Sequence, residues 1–386
     1  MPANIKQSHW ALVFAFASLF TLGLADNIRG TLFPEILTQF QVSNTLGSWL
    51  FATSSGAAFV AGIISPGYLR RYTISSLLAV GVLFLAVGLA VMGFSASFSW
   101  MISGSVFLGA GIGFMGVSQN LLVAEGAEPH LRSRALSGLH GMYGLASFIA
   151  PLLAAFTTKA FGQWSAAFYV VAVVSLISLA TQFFILPNPR FKVHKPTLLN
   201  DSETKKRISK RALFMVCSFF AFYVVAEILI STRLPLYMRT YFAMDLTQSA
   251  EYVTYFFLFL LIGRVSFAFI HLPFSLKSQL SGFLIGSLVC VILGLKFHPF
   301  FLALSGLTMA PYYPLCVSYI SEISKDLSRT FLSFAMSFQS LAVVVMHLGV
   351  GYMTDHFGLA FAFGVGILAL VISIICLTFH PQKLTV

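Results

Sequence analysis

Apolar residues fall in runs of helix length along the whole chain, separated by short polar segments. The runs lie near 9–33, 45–68, 74–96, 98–124, 134–157 and 164–186, and again near 212–236, 248–271, 278–296, 299–321, 330–353 and 360–379. A helix needs about 20 mostly apolar residues to cross a bilayer, and each run approaches or exceeds that length. The pattern predicts an all-α membrane protein of twelve transmembrane helices with short loops and no large soluble domain. The first run, with Lys6 before it, has the outline of a signal peptide. It is read as a span instead, because the segment has a copy later in the chain.

One polar stretch stands out. Residues 187–211, PNPRFKVHKPTLLNDSETKKRISKR, carry eight Lys/Arg against two acids, with three prolines. It divides the runs six and six, so the expected organisation is a bundle over 1–186, a basic linker over 187–211 and a second bundle over 212–386. The halves also repeat. With an offset of 201, Ala25-Asp26 falls on Ala226-Glu227, Thr31 on Thr232 and Pro34 on Pro235. With an offset of 197, Glu125 falls on Glu322 and Arg132 on Arg329. Coincident apolar residues mean little here, but acids within spans are rare, and two that coincide carry weight. Parallel six-helix repeats place a substrate site between the halves near the midplane.

Charge then sets orientation. With the linker inside, the cytoplasmic side holds Lys6, Arg70, Arg71, Arg132, Arg134, the eight of the linker, Lys277, Lys325, Arg329 and Lys383. The opposite side holds Lys159, Arg233, Arg239 and Lys296. Seventeen against four predicts both termini in the cytoplasm, by the positive-inside rule, in a plasma (inner) membrane. The net charge of +11 is scattered between apolar runs, so it reports orientation and not nucleic-acid binding. At 58% apolar and 9% charged residues, against about 25% charged in soluble domains, the composition excludes a cytosolic enzyme, a secreted disulfide scaffold and a disordered chain. Cys217, Cys290, Cys316 and Cys376 all lie in apolar runs and read as small buried hydrophobes.

Candidate chemistry sits where polar groups interrupt the runs. Asp26 and Glu227 each lie about 15 residues into a span, where an ionised carboxylate costs roughly 3 kcal/mol or more. Protonation or pairing relieves that cost, so both are candidate proton-coupling groups. For Asp26 a static pair with Arg29, three residues on, is the competing reading. Asn27, Gln119, Asn120, His140, Tyr143, Tyr223, Glu227, Tyr313 and Gln339 are candidate substrate contacts. Amides and phenols suit a hydroxyl-rich ligand, although such residues also bond helix to helix. Arg70, Arg71, Glu125, Arg132, Glu322 and Arg329 sit at cytoplasmic ends and are candidate gating charges; solvated loop charges are the alternative. His347 reads as a packing or pairing residue. Gly104, Gly109, Gly111, Gly113 and Gly116, and Gly138, Gly141 and Gly144, are expected to let helices approach closely. Gly109-Ala110-Gly111-Ile112-Gly113 lies mid-span and follows no strand, so it is not a phosphate loop.

Several segments carry a family likeness. These are GLADNIRGTLFP (Gly23 to Pro34), GAGIGFMGVSQN (Gly109 to Asn120), FYVVAE (Phe222 to Glu227), Gly263-Arg264 and APYYP (Ala310 to Pro314). Over nearly its whole length the chain resembles the major facilitator superfamily, and this set most resembles the fucose and glucose permease branch. That resemblance implies a sugar:cation symporter. Asn27 and Asn120 match the fucose permease pattern, but Gly30, Gly116 and His140 stand where it has Asp, Glu and Asn. Both acids that the pattern ties to proton coupling are therefore replaced, and any coupling must use other groups. In the loop signature GxLxDRxG, Gly67 and Leu69 match while Arg71 takes the Asp position. The fifth run also resembles a drug/proton antiporter signature, with Pro151 identical and Ser137, Ala146, Ala150, Ala154 and Ala155 in place of its glycines.

The expectation is a monomeric secondary transporter, without cofactor or metal, that moves a small polar, sugar-like solute by alternating access. Symport with a proton is favoured over sodium, and proton-coupled drug or metabolite efflux is the alternative. An intramembrane enzyme has only Gly116-Val117-Ser118 in its favour, and no HExxH or ATP-binding loop is present.

Overall fold

The computed structural model describes residues 5–128, 130–181, 209–270, 272–324 and 327–381. These residues form helices throughout, with no strand among them. In chain order the helices are α1 (Ile5–Thr31), α2 (Phe33–Phe40), α3 (Asn44–Leu69), α4 (Ile74–Gly93), α5 (Phe98–Gly126), α6 (Arg132–Phe161) and α7 (Ala166–Ala180). They continue as α8 (Lys210–Phe242), α9 (Leu246–Phe269), α10 (Leu276–Lys296), α11 (Phe300–Met309), α12 (Tyr312–Ser324), α13 (Ser328–Phe357) and α14 (Leu359–Phe379). Among the described residues, eleven segments are long and apolar enough to cross a membrane, with α11 and α12 acting as one, Phe300–Ser324. Of the sixth predicted run, the described residues show α7, an apolar helix of 15 residues, and 182–186 lie outside them.

Proline explains two departures from unbroken runs. The tenth run breaks at Ala310 and Pro311, between α11 and α12, because Pro311 has no N–H for the helix ladder and its ring crowds the preceding turn. The first run ends at Thr31, and Pro34 stands in the first turn of α2, where a missing N–H costs nothing. Pro235, its repeat mate, stays inside α8.

Contacts divide the chain into two compact units. One is Met1–Gln41 with Thr53–Pro196, the other Val42–Ala52 with Thr197–Val386. Residues 187–208 of the basic stretch lie outside the described residues. In the first unit α4 packs on α5 and α7, and α1 on α5 and α6. Lipid tails are as apolar as leucine, so close van der Waals packing, and not expulsion from water, holds such helices together. Gly109 of α5 shows this. A Cβ there would sit 2.7 Å from the carbonyl carbon and Cα of Ser54 on α3, and Gly113, one turn on, presses on Ala58 and Ala61. Gly116 and Gly141 correct the expectation of close approach, since a Cβ at either would meet nothing within 4 Å.

In the second unit α8 packs on α13 and α14, and α9 on α11. Gly306, 197 residues after Gly109, presses on the Phe256 backbone of α9. The repeat therefore preserves a packing contact as well as charges. The start of α3 also belongs to this unit. Asp355 of α13 accepts from the backbone N–H groups of Asn44 (3.0 Å) and Thr45 (2.7 Å). It also accepts from the Asn44 amide (2.9 Å) and the Thr45 hydroxyl (2.6 Å). The carboxylate thus caps the otherwise unsatisfied donors of α3's first turn. The four cysteines are free, three of them buried.

Candidate functional site

In each unit a carboxylate deep within a span is held by an arginine and a tyrosine. In the first unit Asp26 lies on α1, with its side chain 34% exposed. Arg29, one turn on, donates from Nη2 to its Oδ1. Tyr143 of α6 donates to Oδ2 at 2.9 Å. Next to it the Asn27 amide donates to the Gly23 carbonyl (2.8 Å) and to the Ser147 hydroxyl (2.9 Å), tying α1 to α6.

In the second unit Glu227 lies mid-span on α8, with its side chain 19% exposed. Tyr223, one turn earlier and fully buried, donates its hydroxyl to Glu227 Oε2. The same hydroxyl lies 2.6 Å from the Met309 carbonyl, in the last turn of α11 before the proline break. Arg264 of α9 places Nη2 at 3.5 Å from Glu227 Oε1. That is an ion pair longer than a normal hydrogen bond. Tyr313 of α12 lies within electrostatic reach of both charges and packs on Phe220. Charged side chains at this depth face protein or water and not lipid.

The remaining predicted residues separate into two sets. Gln119 is buried in the first unit and bonds Ser18 at 3.0 Å. With its amide turned over, it also accepts from the Leu19 N–H and donates to the Met115 carbonyl. Its hydrogen-bonding capacity is spent between α5 and α1. Asn120 bonds the Gly116 carbonyl one turn back, at 2.9 Å, and is half-buried. His140 is exposed on α6, and Gln339 is half-buried on α13. The structure thus brings Asp26, Asn27 and Tyr143 together in one unit, and Tyr223, Glu227 and Tyr313 in the other.

Arg70, Arg71, Glu125, Arg132 and Glu322 are exposed, and among the described residues none of them is in an ion pair. The Arg329 side chain lies outside the described residues. Arg233 corrects the charge count. Placed by sequence in an outer loop, it is buried inside α8, 1% exposed, donating to Ser48 at 2.7 Å and lying over the Phe51 ring. The same Phe51 ring stacks on His347, so His347 packs as expected. Sequence reasoning noted Arg264 only as part of the family-like pair Gly263-Arg264. Its partnership with Glu227 joins positions on different helices and has no local signal.

A family model described as "Major Facilitator Superfamily" matches residues 15–325. The chain belongs to this superfamily. It is accordingly a multi-pass membrane protein of a transporter superfamily. The superfamily member also matches a D-xylose-proton symporter structure at a TM-score of 0.74 and 14% identity, over 98% of each chain, a likeness of fold alone. A myo-inositol transporter of Gibberella moniliformis is 26% identical over 213 residues, 53% of this chain and 36% of that protein. A multidrug efflux pump of Staphylococcus aureus is 24% identical over 161 residues, 42% of this chain and 36% of that one. The chain spans about a third of the length of these curated relatives. These likenesses reach the superfamily and distant sugar transporters and do not single out the fucose permease branch.

Proposed function

We propose that this superfamily member imports a small polar solute by alternating access, coupled to protons through Glu227. The observation that carries the reading is the Tyr223–Glu227–Arg264 cluster inside one helical unit. An ionised Glu227 is balanced by Arg264 and bonded by Tyr223. A proton on Glu227 removes the attraction to Arg264 and frees the guanidinium. Loading and unloading that proton on opposite sides of the membrane would couple its gradient to the cycle. A single carboxylate met by a phenol and a guanidinium suits a proton better than sodium, which needs several oxygen ligands. Asp26, with Arg29 and Tyr143 both bonded to it, is the more static of the two acids.

The finer reading is a hydroxyl-bearing, sugar-like solute, with Tyr313 and Gln339 of the second unit among its contacts; the relative named a myo-inositol transporter supports it. The chain is proposed to act as a monomer in a plasma (inner) membrane. Its domains are taken as 1–186, 187–211 and 212–386, with the termini and the basic stretch cytoplasmic. Efflux is the second reading, supported by the relative named a multidrug efflux pump. Purified protein in weakly buffered liposomes tests the choice. Adding a transported solute outside should draw protons inward and raise the external pH. No proton movement with a transported solute would refute coupling. Faster loss of lipophilic dyes from loaded cells making the protein, without binding of polar solutes, would favour efflux.

A further inference from the structure

The pairing at Glu227 is incomplete on the arginine side. Glu227 Oε2 is taken by Tyr223, and Arg264 reaches Oε1 only at 3.5 Å. Arg264 Nε is buried with no hydrogen-bond partner among the described residues, while its side chain as a whole is 30% exposed. A guanidinium offers five donors in a planar fork, and a single long ion pair leaves most of that capacity unused. We propose that Arg264 is an anion-binding subsite, and that the transported solute carries a carboxylate or similar acid group which takes Arg264 when Glu227 is protonated. The inference deepens the transport reading above and rests on it.

The charge balance gives the sequence of events. With Glu227 ionised, Arg264 is already compensated, and an added anion would leave a net negative charge within the membrane, which is costly. When a proton from the outer solution binds the Glu227 carboxylate, Arg264 is left as an uncompensated cation within the membrane, which is costly. An anionic group restores neutrality and completes the fork with two parallel N–H···O bonds. One proton and one monoanion then move together with no net charge. When the proton leaves to the other side, Glu227 reclaims Arg264 and expels the anion. The groups around Glu227 fit this scheme. Tyr223 on its own helix, the Met309 carbonyl of α11 and Tyr313 of α12 supply no competing cation. Of the other titratable groups on helices packed against α8, Tyr312 of α12 packs on the Tyr223 ring and His347 of α13 is stacked on Phe51.

The test is thermal stabilisation of the purified full-length protein by matched probes: glucuronate against glucose, gluconate against sorbitol, and lactate against glycerol, at pH 5.5 and 8. The carboxylate member should stabilise the wild type more strongly at pH 5.5. Glu227→Gln, which imitates the protonated acid, should respond to it equally at both pH values. Arg264→Gln should weaken the response about tenfold or more, the loss expected for a hydrogen bond to a charged group. Arg264→Lys, which keeps the charge without the fork, should retain part of it. Equal stabilisation by the neutral partners would overturn the proposal. So would an unaltered response in Arg264→Gln, or no carboxylate response in Glu227→Gln. Failure of the coupling reading looks different: gradient-driven uptake would survive Glu227→Gln while carboxylate binding still followed Arg264.

Discussion

Gly109→Ala adds one methyl at the tightest crossing of the first unit. The new carbon would lie 2.7 Å from two backbone atoms of Ser54, and closer to the carbonyl oxygen. Non-bonded carbons rest at about 3.5–4.0 Å, so α3 and α5 must part by about 1 Å. The obstacle is backbone, so no rotamer change relieves it. Overpacking of this kind costs about 1–3 kcal/mol. Gly116→Ala, two turns along the same helix, meets open space and should gain up to about 1 kcal/mol from reduced backbone freedom. The two substitutions are chemically identical and differ only in surroundings. Thermal melting in a mild detergent should therefore show Gly109→Ala below the wild type and Gly116→Ala at or above it. Gly306→Ala should resemble Gly109→Ala, because its Cβ would meet the Phe256 backbone. Equal melting of Gly109→Ala and Gly116→Ala would refute the reasoning.

Asp355→Ala removes the four bonds that cap α3. It should cost about 1 kcal/mol, as lost helix caps do, seen as a lower melting temperature, with Asp355→Asn intermediate; an unchanged melting temperature would contradict the capping role. A single cysteine at Ser202, in an otherwise cysteine-free protein, should resist a membrane-impermeant thiol reagent in intact cells, while one at Lys159 should label. The reverse pattern would overturn the proposed orientation.

Helix positions were legible in the sequence because span length and apolar composition are local properties. The repeat was legible because Asp26 and Glu227, and Glu125 and Glu322, are rare enough in their settings to mark an offset. The pairing of Asp26 with Arg29 was half legible, since three residues on one helix set it. Its bond to Tyr143 joins positions 117 residues apart and could not be read. Polar residues gave the weakest guide. Asn27 and Gln119 interrupt apolar runs just as substrate contacts would, yet their amides bond neighbouring helices. Composition cannot tell a side chain that faces a cavity from one that faces a helix. Arg233 was misplaced for a related reason. Charge near the end of an apolar run reads as loop, but α8 runs on to Phe242 and buries the guanidinium against Ser48 and Phe51.

Glu227→Gln is the most direct test of proton coupling. The substitution keeps the side chain's size and imitates the protonated acid, so folding should be spared. In proteoliposomes it should abolish solute accumulation driven by a pH gradient. Counterflow, which needs no net proton movement, should survive better, and Asp26→Asn should show a weaker form of the same pattern. Gradient-driven accumulation that is unchanged in the Glu227→Gln protein would contradict the coupling role; equal loss of accumulation and counterflow would assign Glu227 to solute binding instead.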